Sequence, residues 1–153
     1  MQVRELMTTE VMLASPDDTI ERAATLMAQA NCGALPVGEN DRLVGLVTDR
    51  DIALRAVAKG SSPTLCTVRE IMSRKVRYIF DDETSEAAAH SMSTLQVRRL
   101  PVLNRQKRLV GIVSLGDLAL KQGGPQVSGA LKEISKPNHL VEEFSERILE
   151  RGA

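Results

Sequence analysis

The sequence predicts an α+β fold of two tandem β-α-β-β-α units related by a pseudo-two-fold axis, followed by a helical C-terminal tail. Three landmarks occur twice in the same order within the 153 residues, and each pair lies 65 or 66 residues apart. With their repeats, the landmarks are Val3 to Met7 and Val68 to Met72, Leu35-Pro36-Val37 and Leu100-Pro101-Val102, and Gly45 and Gly111. Such regular self-similarity indicates a duplicated structural unit.

The landmarks divide the chain into a first copy at residues 1–62, a second copy at 63–122 and a tail at 123–153. A unit of about 60 residues buries too small a fraction of its surface to be stable alone. We therefore expect the two copies to pack back to back and to share one core.

Copy one begins with a helical turn at Val3 to Met7 and a brief strand around Val11 to Ala14. A helix follows, with Asp18 or Thr19 as its N-cap. Apolar side chains at helical spacing predict its inward face, namely Ile20, Ala23, Ala24 and Met27. The helix ends at Asn31-Cys32-Gly33.

The rest of copy one is a hairpin and a second helix. The hairpin pairs Ala34 to Val37 with Arg42 to Thr48 across a polar turn. The helix runs from Asp49 to Lys59, and its inward residues are predicted to be Ile52, Ala53, Ala56 and Val57.

Copy two repeats this order, and the tail adds helices. We predict a turn at Val68 to Met72, a strand near Val76 to Ile79, a helix at Thr84 to Leu95, a hairpin at Arg99 to Ser114 and a helix at Leu115 to Gln122. In the tail we predict helices at Ser128 to Ile134 and Leu140 to Arg151. The apolar face of the last helix could dock on its own domain or contact a partner.

The composition argues against several functions. A formal net charge of zero, 2% aromatic residues and no tryptophan do not favour nucleic-acid binding. The apolar runs are too short to span a membrane, and the N-terminus lacks the apolar stretch of a signal peptide. We expect a cytoplasmic protein in which Cys32 and Cys66 are reduced thiols.

Each copy carries a hydroxyl–carboxylate pair where the second hairpin strand gives way to a helix. The pairs are Thr48 with Asp51 and Ser114 with Asp117. An ionised carboxylate can accept hydrogen bonds from both hydroxyls of a ribose, and the Thr or Ser hydroxyl can bond ribose or phosphate. The same residues could instead form an N-cap and a first-turn acid. The two roles are compatible, because a helix N-terminus is also an anion site.

The residues before the two Leu-Pro-Val segments differ between the copies. Copy two has Arg98-Arg99, whose guanidinium groups suit phosphate oxygens. They could instead be an exposed pair balanced by Asp81, Asp82 and Glu83. Copy one has Gly33-Ala34, which would allow close approach of a base or ribose, although Gly33 could simply follow the end of the helix.

A tandem β-α-β-β-α pair with Leu-Pro-Val and Gly-hydrophobic-x-Thr/Ser-x-x-Asp in each copy resembles a cystathionine-β-synthase (CBS) domain pair, or Bateman module, over residues 3 to about 122. The segment Gly111 to Asp117 is similar to nucleotide-binding repeats of the AMP-activated protein kinase γ subunit. The resemblance implies a stand-alone energy-sensing module that binds AMP, ADP or ATP, or less commonly S-adenosylmethionine or NAD. It also implies a homodimer that regulates a partner protein.

The resemblance further implies that each ligand site draws on both copies. The first site would use Met12, Cys32, Gly33 and Ala34 with Arg98, Arg99, Ile112, Ser114 and Asp117. The second would use Arg77, Val97, Arg98 and Arg99 with Leu46, Thr48 and Asp51. Met12, Ile112 and Leu46 could also be plain core residues. Arg77 replaces a small or apolar base-lining residue, so we expect the first site to be the better ligand site.

The sequence shows no arrangement typical of catalysis. His90 and His139 have no partner at metal-ligand spacing, and neither G-x-S-x-G nor H-E-x-x-H occurs. We therefore expect a regulatory binding protein and no enzyme activity. The alternative is a ligand-free dimeric scaffold that holds partners through its helices and tail.

Overall fold

A computed structural model describes residues 1–122 and 124–134. The predicted helix Leu140 to Arg151 lies outside the described residues. The elements in chain order are a 3₁₀ turn (Val3–Glu5), α1 (Ile20–Ala30), β1 (Ala34–Glu39), β2 (Arg42–Thr48), α2 (Asp49–Asp51), α3 (Val68–Ile71), β3 (Ile79–Phe80), α4 (Ser85–Leu95), β4 (Arg99–Leu103), β5 (Leu109–Ser114), α5 (Leu115–Lys121) and α6 (Pro125–Ile134). Two β-hairpins flanked by helices confirm the predicted α+β duplication.

The two long helices have matching caps. The Thr19 hydroxyl accepts a hydrogen bond from the Arg22 backbone N–H at 3.1 Å, so Thr19 caps α1 and Asp18 does not. Thr84 caps α4 in the same way, with the Ala87 N–H at 3.1 Å. Asn31 ends α1 in the left-handed conformation at φ 49°.

Both hairpins form where predicted, but the first strand of each copy is shorter than predicted, and in copy two it is limited to Ile79–Phe80. β3 pairs in parallel with β4, and the Asp81 N–H then donates to the Leu103 carbonyl at 2.9 Å. In copy one only Ala14 bridges to Val37. The residue that matches Asp81 is Pro16, which has no N–H to donate, so the pairing in copy one does not continue beyond Ala14.

The helix predicted from Asp49 to Lys59 is irregular. It continues from α2 as a π-helix at Ile52–Ala56 and a 3₁₀ helix at Val57–Lys59. The wider π turn rotates the later residues away from the predicted face. Ala56 is buried, but Ala53 is exposed and Val57 is 66% exposed, so their inward placement was wrong.

The inward face predicted for α1 also needs one correction. Ile20, Ala23 and Met27 are buried, while Ala24 is exposed. Leu26 is buried in its place and carries a larger apolar side chain to the core. Both residues border the buried stripe, so spacing alone does not separate them.

The expectation of one shared core was wrong, because the buried residues form two clusters. One runs from Ala14 to Met72 and includes Val68 and Ile71 from the start of copy two. The other combines Val3 and Leu6 from the start of copy one with copy-two residues. Each copy therefore lends its first helical turn to the core of the other, which interlocks the repeats.

Backbone bonds hold these exchanged segments in place. The Thr8 N–H donates to the Ile112 carbonyl at 2.8 Å, and the Ile112 N–H returns a bond at 3.0 Å. Leu46 and Ser73 make the matching pair of bonds at 3.0 and 2.9 Å. This pairing places the segment after Thr8 beside the strand that leads into α5.

α6 packs on α4 and α5, beside copy two. Its Ala130 is buried in the second cluster, and the Gln96 side-chain amide donates to the Glu133 carbonyl at 3.0 Å. The helix begins three residues before the predicted Ser128. The first part of the tail therefore docks on its own domain.

Candidate functional site

A cavity of about 590 Å³ lies between the two copies, a volume within the usual range for small-molecule sites. Both copies contribute to its wall. The lining residues are Thr8, Glu10, Val11, Met12, Ala30, Cys32, Ala34 and Leu35 from copy one and Arg99, Ile112, Ser114 and Asp117 from copy two.

Seven of the nine residues predicted for the first site line this cavity together. They are Met12, Cys32, Ala34, Arg99, Ile112, Ser114 and Asp117. The exchanged N-terminal segment brings Met12 to the wall, because the bond pair between Thr8 and Ile112 fixes that segment against β5.

Gly33 and Arg98 are placed elsewhere. Gly33 lies in a neighbouring depression against Asp49, where an added Cβ would come within 2.8 Å of the Asp49 Oδ2 atom. The Asp49 N–H also donates to the Gly33 carbonyl at 2.9 Å. Gly33 thus allows the start of α2 to pack closely. Arg98 lines a cavity of about 340 Å³ beside α6, which also contains Arg99 and Ser114.

Five lining residues were absent from the sequence prediction, namely Thr8, Glu10, Val11, Ala30 and Leu35. Leu35 follows the predicted residue Ala34 in β1, and Ala30 ends α1 two residues before the predicted Cys32. Thr8, Glu10 and Val11 lie on the exchanged segment. Their place in the cavity wall depends on how that segment packs on copy two, which the repeat pattern alone does not predict.

The Ser114–Asp117 pair forms a complete capping box at the start of α5. The Asp117 N–H donates to Ser114 Oγ at 3.0 Å, and the Ser114 N–H donates to Asp117 Oδ2 at 2.8 Å. Within the part of the chain that the structure describes, Asp117 Oδ1 has no hydrogen-bond or ion-pair partner. The capping role is therefore met by one carboxylate oxygen and leaves the other available in the cavity.

The Thr48–Asp51 pair makes the same capping box, with distances of 2.9 and 3.0 Å. Its carboxylate has an additional neighbour, since Arg55 Nε lies 3.6 Å from Asp51 Oδ1. In copy two the matching residue is Lys121, whose ammonium group donates to the Leu6 carbonyl at 3.1 Å. Asp51 thus carries a counterion that Asp117 lacks.

The three acids proposed to balance Arg98 and Arg99 have other partners. Asp81 pairs with Arg4 at 3.9 Å and Asp82 with Arg105 at 2.8 Å. The Glu83 carboxylate accepts the Phe80 N–H at 2.7 Å. Arg98 and Arg99 are exposed, as this alternative predicted, but the three acids do not balance them, since neither guanidinium group forms an ion pair with any described residue.

The residues of the predicted second site do not line this cavity, apart from Arg99. The Leu46 backbone is bonded to Ser73, and Val97 packs on the second hydrophobic cluster. Arg77 is exposed on the segment that matches Met12. A ligand site around Thr48 and Asp51 stays a prediction.

Two further findings concern metals and membranes. Over residues 1–122 and 124–134, no three His, Cys, Asp or Glu side chains are grouped so as to hold a metal ion. None of the helices in these same ranges is both long and apolar enough to cross a bilayer.

Comparison with known protein families identifies the family to which the duplicated unit belongs. A family model for the CBS domain matches residues 3–57 and again residues 68–123. The chain belongs to the CBS domain family. Its two CBS domains coincide with the two copies, and the exchanged helical turns fall at the start of each match.

Among curated relatives, the CBS domain-containing protein YhcV of Bacillus subtilis is 45% identical over 137 residues, which is 89% of this chain and 96% of that protein. Hypoxic response protein 1 of Mycobacterium tuberculosis is 36% identical over 139 residues, or 90% and 96% of the two chains. These relatives are stand-alone proteins of similar length.

Solved CBS structures share the fold. The crystal structure of Hypoxic Response Protein I with two coordinated zinc ions has a TM-score of 0.73 at 34% identity, covering 79% of this chain and 98% of that one. The CBS domain pair of protein MJ0100, crystallised with 5′-methylthioadenosine and S-adenosyl-L-methionine, has a TM-score of 0.72 at 30% identity. That match covers 81% and 97% of the two chains.

Proposed function

We propose that this CBS pair is a regulatory module that binds an adenine nucleotide (AMP, ADP or ATP) in the cavity between its two repeats. The observation that carries the proposal is the convergence of Arg99, Ser114 and Asp117 from copy two with Met12 and Ala34 from copy one around that cavity. The MJ0100 pair, crystallised with two adenosine compounds, supports an adenosine ligand. S-adenosylmethionine and NAD are less favoured candidates.

The chemistry of the wall suits the parts of a nucleotide. Asp117 Oδ1 can accept hydrogen bonds from both ribose hydroxyls, while Oδ2 keeps the helix cap. Arg99 can bind the phosphate with a charge-assisted fork of donors. Met12 and Ile112 offer apolar contacts to the base from opposite copies, and a polarisable Met side chain suits a flat ring.

A ligand that touches both copies can act as a regulator. It shifts the module only if it binds one arrangement of the repeats more tightly than another. Arg99 and Ser114 also line the cavity beside α6, where Val127 and Leu131 form the opposite wall. A change in the ligand cavity could therefore alter the contacts of the tail, where a partner protein could detect it.

The module itself is proposed to have no enzymatic activity and to act in the cytoplasm.

The proposed assembly is a homodimer formed through the helices. Large apolar side chains are exposed near the helices of both copies, with Leu65 at 80%, Val57 at 66% and Leu120 at 89%. Burying them against a second copy would remove apolar surface from water. Light scattering at tens of micromolar protein is expected to give the mass of a dimer, and a monomer would count against this assembly.

Calorimetry with AMP, ATP and S-adenosylmethionine tests the ligand. Asp117→Ala is expected to weaken binding by about tenfold to a hundredfold, because a charge-assisted hydrogen bond to each ribose hydroxyl is lost. Asp51→Ala is the matched control, since it removes the same capping box in copy one. It is expected to lose similar stability and little affinity.

No heat with any of these ligands at millimolar concentration would contradict the nucleotide proposal and favour the ligand-free scaffold. Equal losses of affinity in Asp117→Ala and Asp51→Ala would contradict the role assigned to Asp117. Melting curves of both variants establish that each remains folded during the comparison.

A further inference from the structure

The two hairpin turns form a second pair of clefts, away from the nucleotide cavity. One cleft, of about 510 Å³, is lined by Leu13, Gly38, Asn40, Asp41, Arg42, Leu43, Arg108 and Leu109. The other, of about 200 Å³, is lined by Arg42, Leu43, Arg74, Val76, Tyr78, Leu103 and Lys107. We call the second one the basic cleft. The repeat relates them, because Tyr78 matches Leu13 and Lys107 matches Asp41 at the same offsets as the landmarks.

The charges in the two clefts differ. In the larger cleft, Arg108 Nη1 lies 3.1 Å from Asp41 Oδ2, so its cation is neutralised. In the basic cleft, Lys107 takes the place of that aspartate and lines the wall together with Arg42, which matches Arg108. Arg74, which replaces Thr9, adds a third cation. The Asp41–Arg108 salt bridge between the copies thus has a cluster of like charges as its counterpart in the basic cleft.

These three cations lack counterions. Within residues 1–122 and 124–134, no carboxylate forms an ion pair with Arg42, Arg74 or Lys107. Asp41, the acid next to Arg42 in sequence, is already paired with Arg108. Three unpaired cations around one small concavity repel one another, and an anion would remove that repulsion.

The acids of the neighbouring turn are also engaged. Asp82 accepts two hydrogen bonds from Arg105, at 2.9 and 2.8 Å, and this guanidinium holds the pKa of the Asp82 carboxyl below its ordinary value. Asp81 lies 3.9 Å from Arg4. These carboxylates are held by other arginines, so they do not neutralise the basic cleft.

Tyr78 adds a fixed polar group to the cleft. Its ring packs edge-on against Phe80 with centroids 5.5 Å apart, and Arg105 covers the other ring at 4.1 Å. The Tyr78 side chain remains 40% exposed, so its hydroxyl can donate to an anion. The cleft thus combines three cations with a neutral donor on a braced ring.

We infer that the basic cleft binds a phosphoryl-rich anion of about the size of pyrophosphate. Its volume of about 200 Å³ falls below the roughly 300 Å³ of sites that hold a whole drug-sized ligand. Two arginines and a lysine are the donors that suit phosphate oxygens. The basic cleft shares no lining residue with the nucleotide cavity, so it is a separate site.

The fluorescence of Tyr78 can be used to measure binding at this site. Tyr78 is its single tyrosine, and there is no tryptophan, so intrinsic tyrosine fluorescence reports on this cleft alone. Titration of the full chain with pyrophosphate and with tripolyphosphate should give a saturable change in that fluorescence. Calorimetry should give the same dissociation constants.

Lys107→Asp tests the charge assignment. It gives copy two the residue type found in copy one and should weaken binding by about tenfold or more. Lys107 has a φ of 61°, a conformation that aspartate tolerates well, so the fold should persist. Lys59→Asp is the control, because it changes the net charge equally at an exposed position that does not line the cleft. Asp117→Ala should leave pyrophosphate affinity unchanged.

Other results would overturn the inference. These are no fluorescence change and no heat with either anion, or equal weakening by Lys59→Asp and Lys107→Asp. The reciprocal variant Asp41→Lys removes the Asp41–Arg108 salt bridge and leaves Arg74 and Tyr78 unchanged. It should retain pyrophosphate binding in the basic cleft, and loss of binding in this variant would also contradict the assignment.

Two further titrations, with ATP and with pyrophosphate, identify the source of the phosphoryl group. In the Asp117→Ala background, ATP binding that still changes Tyr78 fluorescence assigns the site to the phosphate chain of a nucleotide. Binding of pyrophosphate but not of ATP assigns it to the free anion. A single-stranded oligonucleotide that binds the same cleft more tightly than tripolyphosphate would overturn the small-anion inference.

Discussion

The two hydroxyl–carboxylate turns have the same local structure and different surroundings. Both Thr48 with Asp51 and Ser114 with Asp117 form capping boxes with bonds of 2.8 to 3.0 Å. Asp51 has a guanidinium 3.6 Å away, whereas Asp117 faces a cavity of about 590 Å³. The duplicated sequence therefore accounts for both helix caps, whereas the charge beside each carboxylate depends on residues that differ between the copies.

The two clefts at the hairpin turns also differ in their charges. The larger cleft contains the salt bridge between Asp41 and Arg108, while the basic cleft has Lys107 and Arg42 at the matching positions. Among the described residues, Asp117 of copy two has no ion pair at the caps, and the unpaired cations at the turns come from both copies, Arg42 from copy one and Arg74 and Lys107 from copy two. In both places, substitutions at matched positions separate a group that has an ion pair from one that has none with any described residue.

The largest effect is expected at the glycines that follow Leu-Val in the two hairpins. A Cβ at Gly111 would lie 2.8 Å from the Thr8 carbonyl oxygen and 2.7 Å from Met7 Sδ. Because Thr8 is tied to Ile112 by two backbone bonds, it cannot move freely. Gly111→Ala should therefore lower the free energy of unfolding by about 1–3 kcal/mol in urea denaturation.

Gly45→Ala is the matched variant in copy one. Its Cβ would meet the flexible Met72 Sδ at 2.6 Å, but the Ser73 carbonyl oxygen lies farther away, at 3.1 Å. The cost should fall at the lower end of the same range. Equal losses in the two variants would show that the methionine contact dominates, and that the strand pairing of the exchanged segments responds equally in both copies.

A second, smaller effect is expected when Met12 and the matching residue of copy two, Arg77, are each replaced by the other's residue type. Met12 lines the nucleotide cavity, and Arg77 occupies the matching position in copy two. Met12→Arg should weaken nucleotide binding by about tenfold, because a long charged side chain replaces an apolar wall. Calorimetry measures the change in affinity.

Arg77→Met is the reciprocal variant. If Arg77 closes the second predicted site, its removal should raise the stoichiometry of nucleotide binding from one to two per chain. An unchanged stoichiometry would mean that the Asp51–Arg55 pair is sufficient to keep that site from binding. The double variant with Arg55→Met then separates these two causes, since it leaves Asp51 without its counterion.

Local features of the fold follow closely from the sequence. Thr19 and Thr84 begin their helices because a Thr hydroxyl can accept an N–H of the first turn. The hairpins follow from β-branched runs and polar turns. The end of the pairing after Ala14 in copy one could also have been predicted, because Pro16 lacks the N–H that Asp81 uses in copy two.

Features that depend on tertiary packing could not be predicted. Val3 and Val68 have the same pattern as any residue of a short amphipathic turn, and nothing local indicates that each enters the core of the other copy. The cavity wall around Thr8 and Glu10 depends on that exchange. The exposure of Val57 depends on the π turn, which has no clear sequence signal.

The smallest effect concerns the capping boxes of the exchanged turns themselves. Glu70 accepts the Thr67 N–H at 2.6 Å and the Thr67 hydroxyl at 3.1 Å, and these bonds lower the pKa of its carboxyl. A lowered native pKa stabilises the fold above the ordinary glutamate pKa, and the contribution disappears as the pH falls through the lowered value.

Glu70→Gln should therefore reduce the melting temperature at neutral pH and converge with the parent chain in acid. The reduction should be smaller than that for Gly111→Ala, because the group is solvent-exposed. Glu5→Gln is the control in copy one, where Gln2 offers the same backbone bond at 2.6 Å but no hydroxyl. We expect a smaller change there. A difference between Glu70→Gln and the parent that persists unchanged into acid would show that the side-chain shape at this position, and not its charge, stabilises the exchanged turn.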